Sequence, residues 1–187
     1  MILGITGTDG AGKGTVVEYL VAQHGFTHYS ARALILEEIR KHGLPETRNQ
    51  MRLTANELRQ QHGNEFLIKV SYEKAAADGI TKAVIESVRT VAEAKYLHEH
   101  GGLLLAVDAD QSLRYERVQA RRSESDQVSF EEFKRHEELE KNDPDPHGMQ
   151  KAKVIEMADY TVTNNSTVED LEEQVEQFLT QYVEKVE

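Results

Sequence analysis

The sequence predicts a three-layer α/β/α domain in which helices cover both faces of a five-stranded parallel sheet. Five short apolar runs alternate along the chain with longer helical patterns, as expected for a doubly wound fold. Several of these runs are apolar throughout, which is typical of strands buried on both faces of a parallel sheet. The predicted strands span residues 2–6, 27–30, 83–87, 103–108 and 160–163.

Glycines support the boundaries of the predicted helices. Gly25, Gly43, Gly63 and Gly79 each follow a helical run, where a residue that readily adopts a positive φ is favourable. The predicted helices span residues 14–23, 33–42, 47–62, 64–77, 91–100, 112–122, 129–141 and 168–186. Three helices between the second and third strands exceed what one crossover needs. We therefore expect one domain over residues 1–187, with a helical insertion at 31–80 and a charged, lid-like insertion at 121–150.

Composition restricts the possible partners and chemistry. The 187 residues carry a net charge of −11, so the chain as a whole repels nucleic acid and anionic membranes. Any anionic ligand must then be met by a local basic pocket. The absence of cysteine excludes disulfides, thiolate chemistry and Cys-ligated zinc. The longest clean apolar run, 103–107, has strand length, and the N-terminus lacks the pattern of a signal peptide, so we expect a cytoplasmic monomer or homodimer.

A glycine-rich segment joins the first predicted strand to the first predicted helix. Its glycines let successive backbone N–H groups point at one anion, and the helix N-terminus adds partial positive charge. Lys13 can reach the terminal phosphates of a nucleotide as a point charge. The residues predicted to hold the phosphates are Gly10, Ala11, Gly12, Lys13, Gly14 and Thr15.

The residue after Lys13 is Gly14, which has no hydroxyl to offer a magnesium ion. Thr15 comes next and is suited to a phosphate oxygen. We therefore expect Mg²⁺ near Thr15 to be held mainly by phosphates and water, as its reluctance to dehydrate permits. Glu86, at the end of the third strand, can orient a magnesium-bound water. Its alternative role is that of a helix-capping or core-edge acid.

The pattern Gly-x-x-Gly-x-Gly-Lys-Gly-Thr at residues 7–15 resembles the nucleoside monophosphate kinase family, adenylate kinase above all. The resemblance implies ATP and Mg²⁺ as cofactors and a small nucleotide as acceptor, bound by the 31–80 insertion. Asp9 replaces the proline of adenylate kinase. An acidic residue there is similar to thymidylate kinase, where it lies near the acceptor nucleotide. A loop-stabilising carboxylate is an equally open role for Asp9.

The same resemblance assigns roles to two arginines near the predicted acceptor site. Arg89 lies in a stretch that resembles the family's Asp-Gly-x-x-Arg, whose arginine holds the acceptor phosphate. Glu86 and Ser87 replace the aspartate and glycine. The segment after the second strand lacks the aspartate and arginine of Thr-Gly-Asp-x-x-Arg, and Arg32 can supply the missing cation. Arg48 is a further acceptor candidate, although a solvated helix face is the alternative.

Residues 113–121 resemble the family's Glu-Arg-x-x-x-Arg stretch. The resemblance places Arg117 near adenine and Arg121 at the transferring phosphates, with a salt-bridged surface helix as the alternative. Arg122 and Arg135 are weaker candidates for the same charge. Residues 158–166 are similar to the Ala-Asp-Tyr-x-x-x-Asn run of dephospho-CoA kinases and to archaeal adenylate-kinase-related proteins, which places Asn165 in a base-contacting loop.

Three functions follow from these features. The first is ATP-dependent phosphorylation of a nucleoside or deoxynucleoside monophosphate, with Lys13, Arg89 and Arg121 as catalytic residues. The second is a dephospho-CoA kinase, favoured by residues 158–166 and opposed by the lack of an aspartate after the second strand. The third is a nucleotide-binding switch or assembly factor without kinase chemistry, because the segments after the second and third strands depart from the family pattern.

Overall fold

A computed structural model describes residues 1–121 and 128–182. Within these ranges, five strands form one parallel sheet in the order β2-β3-β1-β4-β5, which confirms the predicted five-stranded α/β fold. The first strand lies at the centre and pairs in parallel on both sides, with Leu3 opposite Val84 of the third strand and Leu103 of the fourth. The strands are β1 (Ile2–Gly7), β2 (Thr27–Ser30), β3 (Ala83–Glu86), β4 (Leu103–Asp108) and β5 (Tyr160–Thr163).

Nine helices are found in the same described ranges. The eight predicted ones are confirmed with shifts of one or two residues at most of their ends, whereas α8 was not predicted. The predicted ends at residues 122 and 186 lie outside the described residues. The helix α8 has only six residues, too few to show a helical period in the sequence. The helices are α1 (Lys13–His24), α2 (Ala31–Lys41), α3 (Arg48–His62), α4 (Phe66–Ala77), α5 (Val91–Glu99), α6 (Gln111–Ala120), α7 (Phe130–Lys141), α8 (Lys151–Glu156) and α9 (Val168–Tyr182).

The sheet has an apolar core on each face, which explains why its strands are apolar throughout. Leu3 and Ile5 of β1 face a core shared with α1 and α9. The intervening Gly4 faces the other core, where a Cβ atom would lie 2.5 Å from Leu97 of α5. Burying each such aliphatic side chain is worth roughly 1.5–3 kcal/mol, so both layers of helices hold the sheet.

The topology places a crevice at the carboxyl ends of β1 and β3. These strands are neighbours, but α1 follows β1 on one face of the sheet and α5 follows β3 on the other. The loops that leave the two strands therefore diverge, and ligands of open α/β sheets bind at such a point. No helix in the described part of the chain is both long and apolar enough to cross a membrane.

The two stretches predicted as insertions both pack beside this crevice. Helices α2, α3 and α4 connect β2 to β3, and residues of all three belong to the second core. Helix α7 and the loop after it connect α6 to α8, and Phe133 of α7 is fully buried. The boundaries 31–80 and 121–150, and the roles of an acceptor-binding subdomain and a lid, stay predictions.

Candidate functional site

The glycines of the loop between β1 and α1 are required by its conformation. Gly10 and Gly12 have φ values of 81° and 101°, in the left-handed region that side chains disfavour. A Cβ atom on Gly10 would lie 2.5 Å from the carbonyl oxygen of Arg114. A Cβ atom on Gly12 would lie 2.2 Å from Nδ2 of Asn164. The loop is thus curled and closely packed from behind, as a phosphate-binding loop must be.

The side chain of Lys13, the first residue of α1, bends back over this loop. Its Nζ donates to the carbonyl oxygens of Thr8 at 2.6 Å and Gly7 at 3.2 Å. Burial of the ammonium group lowers the pKa of Lys13 to about 7, although the carboxylate of Asp9, at 3.9 Å, opposes the shift. The dipoles of these two backbone carbonyl groups hold the ammonium group above the loop. A bound anion would stabilise the charged form of Lys13.

Beside Lys13 lies an ionic cluster, formed by Asp9, Arg48, Arg89, Glu140 and Lys151. Asp9 accepts from Nζ of Lys151 at 2.9 Å and from Nη2 of Arg48. Glu140 accepts from Nη2 of Arg48 at 2.9 Å and from Nζ of Lys151. Nη1 of Arg89 lies 3.9 Å from Glu140. Each carboxylate is thus shared between cations from different elements of the fold.

The ionic cluster has a net positive charge. Burial would raise the pKa of Asp9, but the charges of Lys151 and Arg48 outweigh burial and hold that pKa well below its usual range. Burial and the nearby charge of Asp9 would raise the pKa of Glu140, but the charges of Lys151, Arg48 and Arg89 outweigh both and lower it. Both carboxylates are therefore ionised, and the cluster counts three cations against two anions. The local basic pocket that an anionic ligand needs is present in a chain of net charge −11.

Sequence reasoning found only part of this cluster. It marked Asp9, Arg89 and, less firmly, Arg48, but it passed over Glu140 and Lys151. Lys151 opens the short helix α8, which the sequence pattern did not reveal. For Glu140 a signal existed, because Phe133, Glu137 and Glu140 follow one another at helical spacing. These three residues form the buried face of α7. That face is apolar at its start and acidic at its end, beside the site, which distinguishes it from an ordinary core-facing helix.

A buried arginine fastens α7 to the phosphate loop. Arg114 of α6 donates through both terminal nitrogens to Glu137, one of these bonds being 3.3 Å long. Its Nη1 also donates to the carbonyl oxygen of Asp9 at 3.2 Å, and its Nε to that of Ala109 at 2.7 Å. Fork-like pairs of this kind fix orientation as well as charge. Arg114 therefore sets the distance between the loop and α7.

A second buried arginine fixes the backbone from which Arg89 extends. Glu93 accepts from the backbone N–H groups of Arg89 at 2.7 Å and Thr90 at 3.0 Å through one oxygen. Its other oxygen accepts from Nη2 of Arg59 at 2.9 Å, and both side chains are almost fully buried. The segment after β3 is therefore pinned to α3. Arg59, on α3, lies in the interior.

At the end of β3, Ser87 occupies the position where the resembling kinases have glycine. Its φ is 74°, and it is the single non-glycine residue with a positive φ in the described ranges. The backbone N–H groups of Ser87 and Val88 both donate to the carbonyl oxygen of Ile5, at 3.0 and 3.1 Å. The turn therefore has a conformation that suits glycine, and the serine that occupies it is strained.

Other predicted site residues lie around the cluster without belonging to it. Glu86 accepts from the hydroxyl of Ser30 at 2.8 Å and lies 3.6 Å from Nε2 of His28. Arg32 is exposed near the start of α2. Arg121 is exposed at the end of α6. Arg135 is exposed on α7 and lies 3.4 Å from Glu132, and Arg122 falls outside the described residues.

Arg117 and the loop after β5 meet behind the phosphate loop. Arg117 donates to the backbone oxygen of Asn164 at 2.9 Å and to its side-chain oxygen at 3.3 Å. Asn164 in turn donates to the carbonyl oxygen of Ala11 at 2.8 Å. The neighbouring Asn165 exchanges hydrogen bonds of 2.7 and 2.9 Å with Asp110. Arg117 thus supports the loop through Asn164, which sequence reasoning noted without giving it a role.

The residues around the loop fit a magnesium ion that arrives with its nucleotide. Glu86 and Asp108 end the two strands beside β1, so carboxylates flank the loop on both sides. Asp108 accepts from the hydroxyl of Thr8 at 2.6 Å, and Thr15 is half-buried on the first turn of α1. The described residues contain no group of three carboxylates or histidines placed to hold a metal alone. Phosphates and water would have to complete the coordination.

A cavity of about 190 Å³ separates the phosphate loop from α7 and α8. It opens directly onto the ionic cluster and is smaller than the roughly 300–1,000 Å³ of typical small-molecule sites. The lining includes Thr8, Asp9, Asp108, Glu137, Glu140 and Lys151. The cavity therefore borders both carboxylates of the cluster.

Comparisons with known proteins agree with this geometry. A family model described as an AAA domain matches residues 6–134. A UPF0200 protein of Thermococcus kodakarensis is 29% identical over 192 residues, covering 100% of both chains. Among solved structures, shikimate kinase from Bacteroides thetaiotaomicron is similar with a TM-score of 0.63 and 12% identity, covering 97% of each chain. A gluconokinase from Sinorhizobium meliloti gives a TM-score of 0.61 and 16% identity, covering 98% of this chain and 94% of that one. The fold is that of small P-loop kinases.

Proposed function

The chain belongs to the AAA domain family, and on that premise we propose that it transfers the γ-phosphoryl group of ATP to a nucleoside or deoxynucleoside monophosphate. The observation that carries the proposal is the ionic cluster. A phosphate loop with one lysine already meets the phosphates of a donor nucleotide. Arg48, Arg89 and Lys151 are three further cations directly beside it. They supply the charge that a second, phosphorylated substrate requires.

The donor half of the site consists of the phosphate loop and Lys13. The backbone amides from Gly10 to Thr15 would hold the donor phosphates, with Lys13 over the terminal ones. Bound Mg²⁺ would neutralise the phosphate charge there, with Thr15 and Glu86 nearest to it. Arg117 and Asn165 would border the adenine.

The acceptor half consists of the ionic cluster and the segment after β3. Arg89 would hold the acceptor phosphate from its pinned backbone, with Asp9 beside it, and Arg32 would assist from the start of α2. Arg121 would stabilise the transferring charge by approaching from the end of α6. Reactions of this type need positioning and electrostatic stabilisation rather than a covalent intermediate. Burial of the cluster strengthens both effects, because charges interact more strongly away from water.

Acceptor-dependent ADP release tests this proposal. The acceptor panel holds nucleoside and deoxynucleoside monophosphates, dephospho-CoA, and shikimate, the ligand of a kinase with a similar fold. We expect saturable ADP release with at least one monophosphate. Lys13→Ala should reduce the rate by about a hundredfold or more, because it removes the cation at the developing charge. Lys153→Ala, which alters an exposed lysine on α8, should leave the rate unchanged.

Two results would redirect the proposal. Activity with dephospho-CoA alone would establish the second function considered above, although residues 158–160 already have structural roles. Asp159 accepts from the backbone N–H of Leu104 at 2.7 Å, and Tyr160 packs on the first core. ATP binding without acceptor-stimulated ADP release would instead establish a nucleotide-binding switch. Repeating the active pair with GTP identifies the preferred donor.

A further inference from the structure

We infer that Glu140 is an internal substitute for the acceptor's phosphate, bound to Arg48, Arg89 and Lys151 until a phosphorylated acceptor displaces it. The inference rests on the proposed function, since it names the substrate class that the ionic cluster selects. It assigns Glu140 to specificity and assigns Arg48 and Lys151 to acceptor binding. None of the three would touch the donor phosphates.

The hydrogen bonds around Glu140 are distributed as they would be around a bound anion. Its Oε1 accepts from Nη2 of Arg48 at 2.9 Å and from Nε at 3.3 Å. Its Oε2 accepts from Lys151 and lies 3.9 Å from Nη1 of Arg89. Three cations from α3, α8 and the loop after β3 thus converge on one carboxylate brought by α7. Such convergence on an exchangeable oxyanion is the chemistry of a phosphate site.

Of the two carboxylates in the cluster, Glu140 is the one that can leave. Asp9 belongs to the phosphate loop, whose backbone is held by Arg114 and by the tight approach of Gly10. Glu140 comes from a different helix and has a longer side chain. Glu137, one turn earlier, keeps α7 in place through its pair with Arg114. Rotation of the Glu140 side chain alone would therefore remove one of the two carboxylates from Arg48 and Lys151 without moving the helix, while Asp9 stays bound to both.

The exchange selects acceptors by charge. A carboxylate acceptor would replace one monoanion with another, so it would gain little over Glu140. A phosphate dianion brings additional charge to one buried and two partly buried cations and would gain from the exchange. Space favours the same exchange, because the cavity of about 190 Å³ beside Glu140 would grow once that side chain rotates out. Glu140 would thereby exclude water and weak anions from the site until a phosphorylated acceptor arrives.

Removal of the Glu140 charge gives a direct test. Inorganic phosphate and acetate are titrated calorimetrically into wild-type protein, Glu140→Gln and Glu138→Gln, with the phosphate loop filled by a non-hydrolysable Mg–ATP analogue. Glu138 is the matched control, since it is exposed on the same helix and pairs with Lys141 at 3.1 Å. We expect Glu140→Gln to tighten phosphate binding by about 5- to 150-fold, the range of ordinary coupling between sites. Glu138→Gln should change it less than about twofold, and acetate should stay weak in the wild type.

A second variant pair covers a failure of Glu140→Gln to fold, which thermal unfolding would reveal. Lys151→Gln should weaken phosphate binding by about tenfold or more, whereas Lys153→Gln, at an exposed position of α8, should not. Equal phosphate affinity in wild type and a folded Glu140→Gln would overturn the inference. So would equal effects of the two lysine variants.

Failure of the inference and failure of the proposed function remain distinguishable. Phosphate binding needs no turnover. Tighter phosphate binding in Glu140→Gln without any kinase activity would therefore contradict the proposed function and support the inference. Kinase activity with unchanged phosphate affinity would do the reverse. If the analogue itself does not bind, the same titration is run on the free protein, with Lys13→Ala removing the donor lysine in every variant.

Discussion

Asn164 donates its side-chain amide to the carbonyl oxygen of Ala11 at 2.8 Å, which ties the end of β5 to the phosphate loop. The amide also fills the space where a Cβ atom on Gly12 would lie. On its other side, Asn164 accepts from Arg117 at 3.3 Å. A chain of contacts thus runs from α6 through Asn164 to the loop, so the loop's shape depends on residues far from it in sequence.

Replacement of Asn164 by alanine should loosen the phosphate loop. We expect Asn164→Ala to lower the free energy of unfolding by roughly 1–3 kcal/mol, because two hydrogen bonds and the packing on Gly12 are lost. It should also raise the KM for ATP. Gln174→Ala is the control, because Gln174 makes two hydrogen bonds to the backbone of Thr163, at 2.8 and 3.0 Å. Urea unfolding should show a cost for both variants, and an unchanged KM for Asn164→Ala would contradict the role given to it.

Ser87→Gly should stabilise the protein. Ser87 has a φ of 74°, which costs a side-chain-bearing residue roughly 1–2 kcal/mol and costs glycine nothing. Glycine gains entropy in the unfolded chain, so we expect a net increase of about 0.5–1 kcal/mol in the free energy of unfolding. Ser71→Gly, within α4, should have the opposite sign, since glycine is less favourable than serine in a helix by roughly half a kcal/mol. Urea unfolding of both variants measures the two signs, and destabilisation by Ser87→Gly would refute the strain.

Nucleotide binding should take up a proton above neutral pH. Burial lowers the pKa of Lys13 from 10.5 to about 7, so at pH 8 most of the free protein carries a neutral amine. Bound phosphates would favour the charged form and raise that pKa. Calorimetry at pH 8 in buffers of different ionisation enthalpy should therefore show an uptake approaching one proton, and affinity should fall as pH rises further. Lys13→Met should abolish the uptake, and uptake that persists in Lys13→Met would assign it to another group.

The lowered pKa of Lys13 should make the free energy of unfolding rise with pH, whereas it makes nucleotide affinity fall. Between about pH 7 and 10.5 the unfolded chain holds a proton on Lys13 that the folded, ligand-free chain has lost. The unfolded state binds more protons over this window, so the contribution of Lys13 to stability rises with pH there. Comparing urea unfolding at pH 7 and pH 9 should show a smaller rise for Lys13→Met than for the wild type.

The fold was predictable because its signals are local. Apolar runs such as 103–107 predict buried strands, and the glycine-rich segment at 7–15 predicts a phosphate loop because it joins a strand to a helix. The ionic cluster was harder to predict, because its residues are spread from Asp9 to Lys151 and meet only through the topology. An acidic residue such as Glu140, within an acidic helix, looks solvated until its buried position is known.

The buried pair of Arg59 and Glu93 should be among the costliest polar interactions to break. Their side chains are 1% and 0% exposed, and Glu93 also holds the backbone of Arg89. Glu93→Gln leaves a buried guanidinium without its counter-charge, so we expect a loss of about 3–5 kcal/mol in the free energy of unfolding. Glu46→Gln is the control, since Glu46 pairs with Arg40 at 2.7 Å but the two side chains are 45% and 64% exposed.

That exposed pair should contribute less than about 1 kcal/mol, because water screens it. Urea unfolding of the two variants should therefore differ severalfold in cost. The double variant Arg59→Met/Glu93→Gln should recover part of the loss, since it removes the unpaired charge together with its partner. Both Glu93→Gln and the double variant should bind the acceptor more weakly than the wild type, because the backbone N–H of Arg89 would face a neutral amide in place of the carboxylate that holds it. Equal costs for Glu93→Gln and Glu46→Gln would contradict the large contribution assigned to the interior pair.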